Sequence, residues 1–271
     1  MSATAVNGAR LARDLRRLGV RPGGVLMVHT RMSALGWVVG GSETVVRAIL
    51  DVLGPDGTLA AYASWQEHVY HAEDWPVEHR DAYVADPPAF DPATGEVDRD
   101  YGRIPERVRT WPGALRSAHP EASVAAVGAR AAWLTAEHPE DDGYGARSPF
   151  ARVVEADGQV LMLGAPLDTV TLLHHAEAMA RVAGKRTVTY RVALAGDGGL
   201  RERTYTDIDT SRGAFPYDRL GLEEDEFAVI ARAALDAGIG VRGTVGDGDA
   251  HLFPAPALTA FAIAWMEERF A

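Results

Sequence analysis

A strand, a helix and a second strand follow one another early in the chain, and that order constrains the fold more than any other feature. The apolar run 25–29 (VLMVH) is preceded by Pro22, Gly23 and Gly24. Residues 42–53 keep apolar positions at helical spacing, with Ser42 as the expected N-cap and Gly54 as the stop. Residues 58–62 (TLAAY) are the next apolar run. Strands joined through a helix imply a βαβ unit and a largely parallel sheet with helices on its faces.

The rest of the chain extends this pattern. Residues 8–18 read as a helix stopped by Gly19, 104–111 and 129–137 as helices, and 123–127 as a strand. Ser148 and Pro149 open a helix to residue 155, serine as N-cap and proline in the first helical position. A strand at 160–163 leads into a histidine-bearing helix. Residues 187–194 and 201–206 flank Gly196 to Gly199 as an antiparallel hairpin, and 223–237 and 256–270 close the chain as helices. The stretch 64–101 lacks sustained periodicity and reads as a functional loop, with Tyr62, Trp65 and Tyr70 packing its start. The expected architecture is α/β: a three-layer αβα with a mainly parallel central sheet, plus a smaller α/β appendage at about 185–240 carrying the hairpin. Residues 1–271 are expected to form one domain.

Composition narrows the chemistry. The 271 residues, 47% of them apolar, supply a large core. No apolar run reaches the roughly 18 residues that span a bilayer. The first residues lack the basic-then-apolar pattern of a signal peptide, so a cytoplasmic location is expected. Without cysteine there is no disulfide, thiolate metal site or cysteine nucleophile. A balance of 27 basic against 38 acidic residues, with no basic run, disfavours nucleic acid and favours a cationic ligand.

Several motifs fail on context. Gly238, Gly240 and Gly243 have dinucleotide-loop spacing but follow a helix and open none. Phosphate-loop, GxSxG and HExxH patterns are absent. His68, His71 and His79 lack the acidic pattern of a metal site, and His138 before Pro139 reads as a helix cap. The small-residue loop between Gly36 and Gly41 follows a strand, where a parallel sheet binds ligands and a helix N-terminus receives phosphates.

The histidine helix carries the candidate chemistry. His174 and Glu177 are three apart and share a face, so the carboxylate can orient the imidazole as a general base. Leu172, Ala176, Met179 and Ala183 form an apolar stripe opposite His174, Glu177 and Arg181, with His175 at its flank. The same spacing fits an ordinary solvated face with His175 as a satisfied core histidine, and spacing leaves both readings open.

Six blocks and a seventh near the C-terminus resemble one family. They are Val28-His-Thr30, Gly40-Gly41, Phe90-Asp-Pro-Ala-Thr94, Arg116-Ser-Ala-His-Pro-Glu-Ala-Ser123, Tyr144-Gly-Ala-Arg-Ser-Pro149, the segment from Leu163 to Glu177, and Gly243 to Asp249. In order and content they resemble the aminoglycoside 3-N-acetyltransferases over nearly the whole chain, a family whose fold differs from the GCN5-type acetyltransferases. Many members carry serine and then a small residue after the strand-end histidine; this chain has Thr30 and Arg31.

The resemblance implies direct transfer of acetyl from acetyl-CoA to the 3-amino group of a 2-deoxystreptamine aminoglycoside, conferring antibiotic resistance, without a metal and as a monomer or homodimer. It implies His174 as base, Glu177 or Asp168 stabilising its imidazolium, and Thr30 donating to the thioester oxygen. The coenzyme is then expected along His29, Thr30, Arg31, Met32, Ser33, Leu35, Gly36, Gly40 and Gly41, with Ser117 and His119. The polycation is expected against Tyr62, Trp65, Asp91, Asp168, Glu177 and Glu223. Alternatives are acylation of another amine metabolite, a metal-dependent hydrolase using His29, His119 and His174, and a non-catalytic binder.

Overall fold

The computed structural model describes residues 5–65, 69–196 and 199–270. In chain order its elements are α1 (Gly8–Leu18), β1 (Val25–Thr30), α2 (Gly41–Leu53), β2 (Thr58–Tyr62), α3 (Val77–Ala85), β3 (Ala89–Phe90), α4 (Arg103–Arg109), β4 (Leu115–Arg116) and β5 (Val124–Gly128). There follow α5 (Ala131–Thr135), α6 (Pro149–Glu155), β6 (Gln159–Leu163), α7 (Leu172–Met179), β7 (Thr187–Leu194), β8 (Arg201–Ile208), α8 (Glu226–Asp236), β9 (Val241–Val245), β10 (Gly248–Pro254) and α9 (Ala255–Phe270).

Strand pleating sorts the core into two halves. Val25 and Met27 of β1, Ala60 and Tyr62 of β2, and Val160 and Met162 of β6 join one cluster, which packs against α5 to α9. Leu26 and Val28, Leu59 and Ala61, and Leu161 and Leu163 join the other, under α1, α2 and α4. Alternate residues therefore feed opposite helical layers, as a period of two requires. Each fully enclosed Leu, Val or Phe contributes about 1.5–3 kcal/mol, which makes both layers obligatory.

The large sheet runs β4-β5-β2-β1-β6-β10-β9. Its centre is the expected βαβ unit, with β2 and β6 parallel to β1 on either side. The flanks differ from the mainly parallel sheet expected: β5, β10 and their outer neighbours all pair antiparallel. The strand β9 escapes sequence patterning because four of its five residues are exposed at a sheet edge. Gly246 at positive φ opens the tight turn from β9 to β10, which fits a two-residue hairpin. Gly243, of the rejected dinucleotide spacing, lies in β9 and opens no helix.

A second sheet, β3-β7-β8, contains the expected hairpin, whose tip at 197–198 lies outside the described residues. Its strands enclose Trp65, Tyr70, Phe90, Tyr190 and Tyr205, so the aromatic residues at the start of the irregular stretch 64–101 are core of this small sheet, while α3 within that stretch has no buried residue. Among the boundaries that move, α2 begins at Gly41 with Gly40 as its N-cap, and α8 begins at Glu226 behind an Asp225 cap. Among the described residues, no helix is long and apolar enough to cross a membrane.

Candidate active site

Strand ends and the loops after them build a cleft of about 800 Å³. The end of β1 and its following turn contribute Val28 to Ser33, β2 gives Tyr62, and the start of α4 gives Gly102 and Arg103. Beyond β6 come Ala165, Pro166, Asp168 and His174, while Tyr70, Thr210, Ser211 and Phe227 close the far wall. The carboxyl edge of parallel strands is where an α/β sheet places ligands. Gly164 lets two of these loops touch: at φ +67, an added Cβ would lie 2.7 Å from Cβ of Ala34 and 3.1 Å from the Arg31 carbonyl oxygen. A side chain there would force the β1 and β6 loops apart.

His174 is held from behind. Its Nδ1 lies 2.7 Å from Oε2 of Glu177, and Tyr217 donates from its hydroxyl to Oε1 at 2.8 Å. Glu177 is 0% exposed, and its two hydrogen-bond partners offset the desolvation of a buried carboxylate. Burial, and then the Glu177 charge, push the Tyr217 phenol upward, so it remains a donor. With Nδ1–H held by the carboxylate, the lone pair falls on Nε2, as a base requires. Tyr144 and Phe227 approach the imidazole with ring centroids 5.2 and 4.6 Å away.

This corrects the solvated-face reading of the helix. Glu177 is enclosed and bonded by Tyr217, whereas Met179, expected in the apolar stripe, is 40% exposed. The helix ends at Met179, before Arg181 and Ala183. His175 is a satisfied core histidine, donating from Nδ1 to the Tyr144 carbonyl oxygen at 2.7 Å. Asp168 stands exposed on the 3-10 turn Leu167–Thr169 at the cleft rim, with no bond to His174 among the described residues. Partial burial and then Asp225 raise its pKa.

Of the expected coenzyme residues, His29, Thr30, Arg31, Met32 and Ser33 line the cleft. Pleating separates the first two. His29 pairs with Met162 and Thr30 with Leu163, so His29 faces the α7 layer that holds His174, and Thr30 faces the α1, α2 and α4 layer. Leu35 is enclosed in the core beneath α1 and α2. Gly36 abuts Asp247, whose Oδ2 would lie 2.3 Å from an added Cβ. Gly40 and Gly41 sit at the N-terminus of α2, outside the cleft wall.

Ser117 and His119 are buried behind the wall and do not face the cleft. The Ser117 hydroxyl accepts from the Val124 amide at 3.0 Å and donates to Nδ1 of His138 at 2.9 Å. His138 in turn donates from Nε2 to the Gly143 carbonyl oxygen at 2.8 Å, so it is an interior bridge and caps no helix. His119 accepts from the Ala122 amide at 3.0 Å and stacks on His138. Its Nε2 lies 3.4 Å from Oδ2 of Asp207, within ion-pair reach but outside hydrogen-bond geometry. Burial drives His138 down to about 3 and His119 well below its ordinary value, so this contact joins a neutral ring to the small sheet.

Of the expected substrate residues, Tyr62 lines the cleft and donates to the Glu121 carbonyl oxygen at 2.6 Å. Trp65 packs on Phe90 in the small sheet's core, 3% exposed. Asp91 is occupied in a turn, accepting from the Ala93 amide at 2.8 Å and the Thr94 hydroxyl at 3.0 Å. Glu223 precedes α8, exposed and away from the wall. His68 lies outside the described residues; His71 is engaged by Glu73 at 3.1 Å and Asp209 at 3.3 Å. Sequence reasoning missed Glu121, Tyr101 and Phe227 in the wall. The buried Glu121 carboxylate accepts from the Val69 amide at 3.0 Å. Its only sequence signal is its place in the Arg116 to Ser123 block.

The family described as aminoglycoside 3-N-acetyltransferase matches residues 27–267, and the chain belongs to that family. It is 51% identical to aminoglycoside N(3)-acetyltransferase VII of Streptomyces paromomycinus, over 97% of this chain and 92% of that protein. The crystal structure of aminoglycoside acetyltransferase AAC(3)-Xa superposes with a TM-score of 0.94 at 47% identity, covering 98% of this chain and 94% of that one. AAC-IIIb in its binary complex with CoASH gives 0.91 at 42% identity, with 99% and 98% covered.

Proposed function

We propose that the chain acts as one catalytic domain that transfers acetyl from acetyl-CoA to the 3-amino group of a 2-deoxystreptamine aminoglycoside, without an acetyl-enzyme. The observation that carries this reading is the chain of contacts Tyr217–Glu177–His174, which leaves one imidazole nitrogen free on a residue of the cleft wall. An amine attacks a thioester only through its lone pair, so the ammonium proton must be removed. His174 takes it at Nε2, and Glu177 stabilises the imidazolium that results. The names of the relatives and the CoASH complex of AAC-IIIb support the choice of substrates.

The wall residues divide the two substrates. Arg31 and Arg103 line the cleft and have no ion pair among the described residues, which suits coenzyme phosphates. Glu121, Asp100 and Asp168 are the carboxylates of the wall and suit ammonium groups, beside the faces of Tyr62, Tyr70 and Tyr101. Thioester aminolysis of this kind uses proton transfer and positioning, so no metal is assigned a role and turnover is expected to persist in chelator. Acetylation of that nitrogen would give antibiotic resistance.

Thiol release from acetyl-CoA across a panel of aminoglycosides and simple amines, with NMR locating the acetylated nitrogen, tests the reading. The expected result is release that depends on the aminoglycoside and product acetylated at N3. His174→Ala is expected to lower kcat roughly 10²- to 10⁴-fold with an unchanged circular dichroism spectrum. Near-wild-type turnover of that variant would refute the base assignment.

A further inference from the structure

His29 is the buried polar group for which the mechanism so far has no use. It is the penultimate residue of β1, on the face that carries α7, beside Met162 of β6. Extending the pairing of Met27 with Ala60 by two residues sets Tyr62 on its other side. Both His29 and Tyr62 border the same cleft as His174. Nε2 of His29 and Oγ1 of Thr30 are both enclosed without a hydrogen-bond partner, in a wall where Tyr62, Glu121 and His174 have theirs, and of the two only His29 faces the layer that holds His174. Buried polar groups are nearly always paired, so an unpaired one at a cleft wall points to a partner that arrives with the substrate.

We infer that His29 is a second catalytic imidazole, donating a hydrogen bond from Nε2 to the acetyl carbonyl oxygen of the thioester while His174 takes the amine proton. The inference rests on the acetyl-transfer reading and deepens it. Thr30, the donor expected from sequence, points its side chain into the opposite layer, so the pleat of β1 favours its neighbour. Burial lowers the His29 pKa to about 4, so the ring is neutral across the working pH range and cannot compete with His174 as base. A neutral imidazole that donates to a developing oxyanion is an established use of a desolvated histidine.

The amine lone pair forms the C–N bond, and the carbonyl π pair moves onto oxygen, where the His29 N–H holds it. His174 accepts the ammonium proton. Collapse re-forms the carbonyl, breaks the C–S bond and expels the coenzyme thiolate, which receives the proton carried by His174. His29 keeps its own proton throughout.

Steady-state kinetics of His29→Ala, His29→Phe and His29→Gln, each checked for folding by circular dichroism, test this role. Alanine and phenylalanine are expected to lose roughly 100-fold or more in kcat, as removal of one oxyanion donor does, with both KM values nearly unchanged. The loss is expected to be equal from pH 6 to 9, because His29 does not titrate there. Glutamine, which restores an N–H, is expected to recover at least roughly tenfold of it. A second readout needs no variant: the infrared carbonyl stretch of carbonyl-13C acetyl-CoA should fall on binding to the wild-type protein. Wild-type transfer alongside an alanine variant of unchanged kcat, or a loss confined to KM, overturns this inference alone. A bound carbonyl at its aqueous frequency overturns it too. Wild-type protein that releases no thiol with any amine instead removes the reading beneath it.

Discussion

Exchanging Glu177 for glutamine removes one charge and keeps the shape of a side chain with no exposed surface. When Tyr217 keeps donating to this group, it takes the amide oxygen and turns the amide NH2 toward His174. Nδ1 then becomes the acceptor, the ring proton moves to Nε2, and the base is lost. General-base assistance of roughly 10²- to 10⁴-fold is at stake, about 2.7 to 5.4 kcal/mol of barrier. Folding stability is expected to change by no more than about 1 kcal/mol, because both hydrogen bonds persist. Glu177→Ala should differ. It strands the Tyr217 hydroxyl and the His174 N–H, at about 1–3 kcal/mol each, so activity and stability fall together. Turnover is read from thiol release at saturating concentrations of both substrates, and stability from urea unfolding. A glutamine variant that keeps more than about a third of wild-type kcat would refute the tautomer argument, since even the low end of the assistance predicts a far larger loss.

The buried histidines make acid unfolding steep. His29, His119, His138 and His175 are all lowered by burial, His29 to about 4 and His138 to about 3, so below 6.5 the unfolded chain binds more protons than the folded one. Stability is therefore fully present above 6.5 and lost as pH falls toward these values, by up to about 1.4 kcal/mol per pH unit for each ring. Asp207, raised to about 7 chiefly by burial, has the opposite sign and offsets one ring between about pH 4 and 7. Urea midpoints from pH 8 to 4 check this, and a flat profile would contradict it. Arg31→Ala and Arg103→Ala are each expected to raise the KM for acetyl-CoA about two- to tenfold and to weaken its salt dependence. An unchanged KM in both variants would remove the phosphate assignment.

The central βαβ unit was legible because β1, α2 and β2 are strongly periodic and bounded by glycine and proline. The antiparallel flanks were not, since a strand such as β9 with four exposed residues carries no apolar alternation. His174 and Glu177 were legible as a pair through their spacing, but the burial of Glu177 was not. That burial goes with Tyr217, 40 positions along the chain, whose hydroxyl meets the carboxylate. Trp65 misled for a related reason: an aromatic residue in an irregular stretch looks available to ligand until a second sheet encloses it. Leu35, Ser117 and His119 stood in the right motifs, and the motif itself turned out to include the supports of the wall as well as its surface. The facing of His29 and Thr30 needed a strand register, which turns the two neighbours toward opposite layers.

The close approach at Gly164 ties the segment that carries the acid–base pair to the segment expected to carry the coenzyme. Neither can lengthen or change course alone, so natural variants should inherit the two as a fixed unit. On the opposite bank, Tyr70, Thr210 and Ser211 come from loops beside the small sheet and take no part in that contact. Divergence in antibiotic preference should accumulate there, while the reaction itself stays the same.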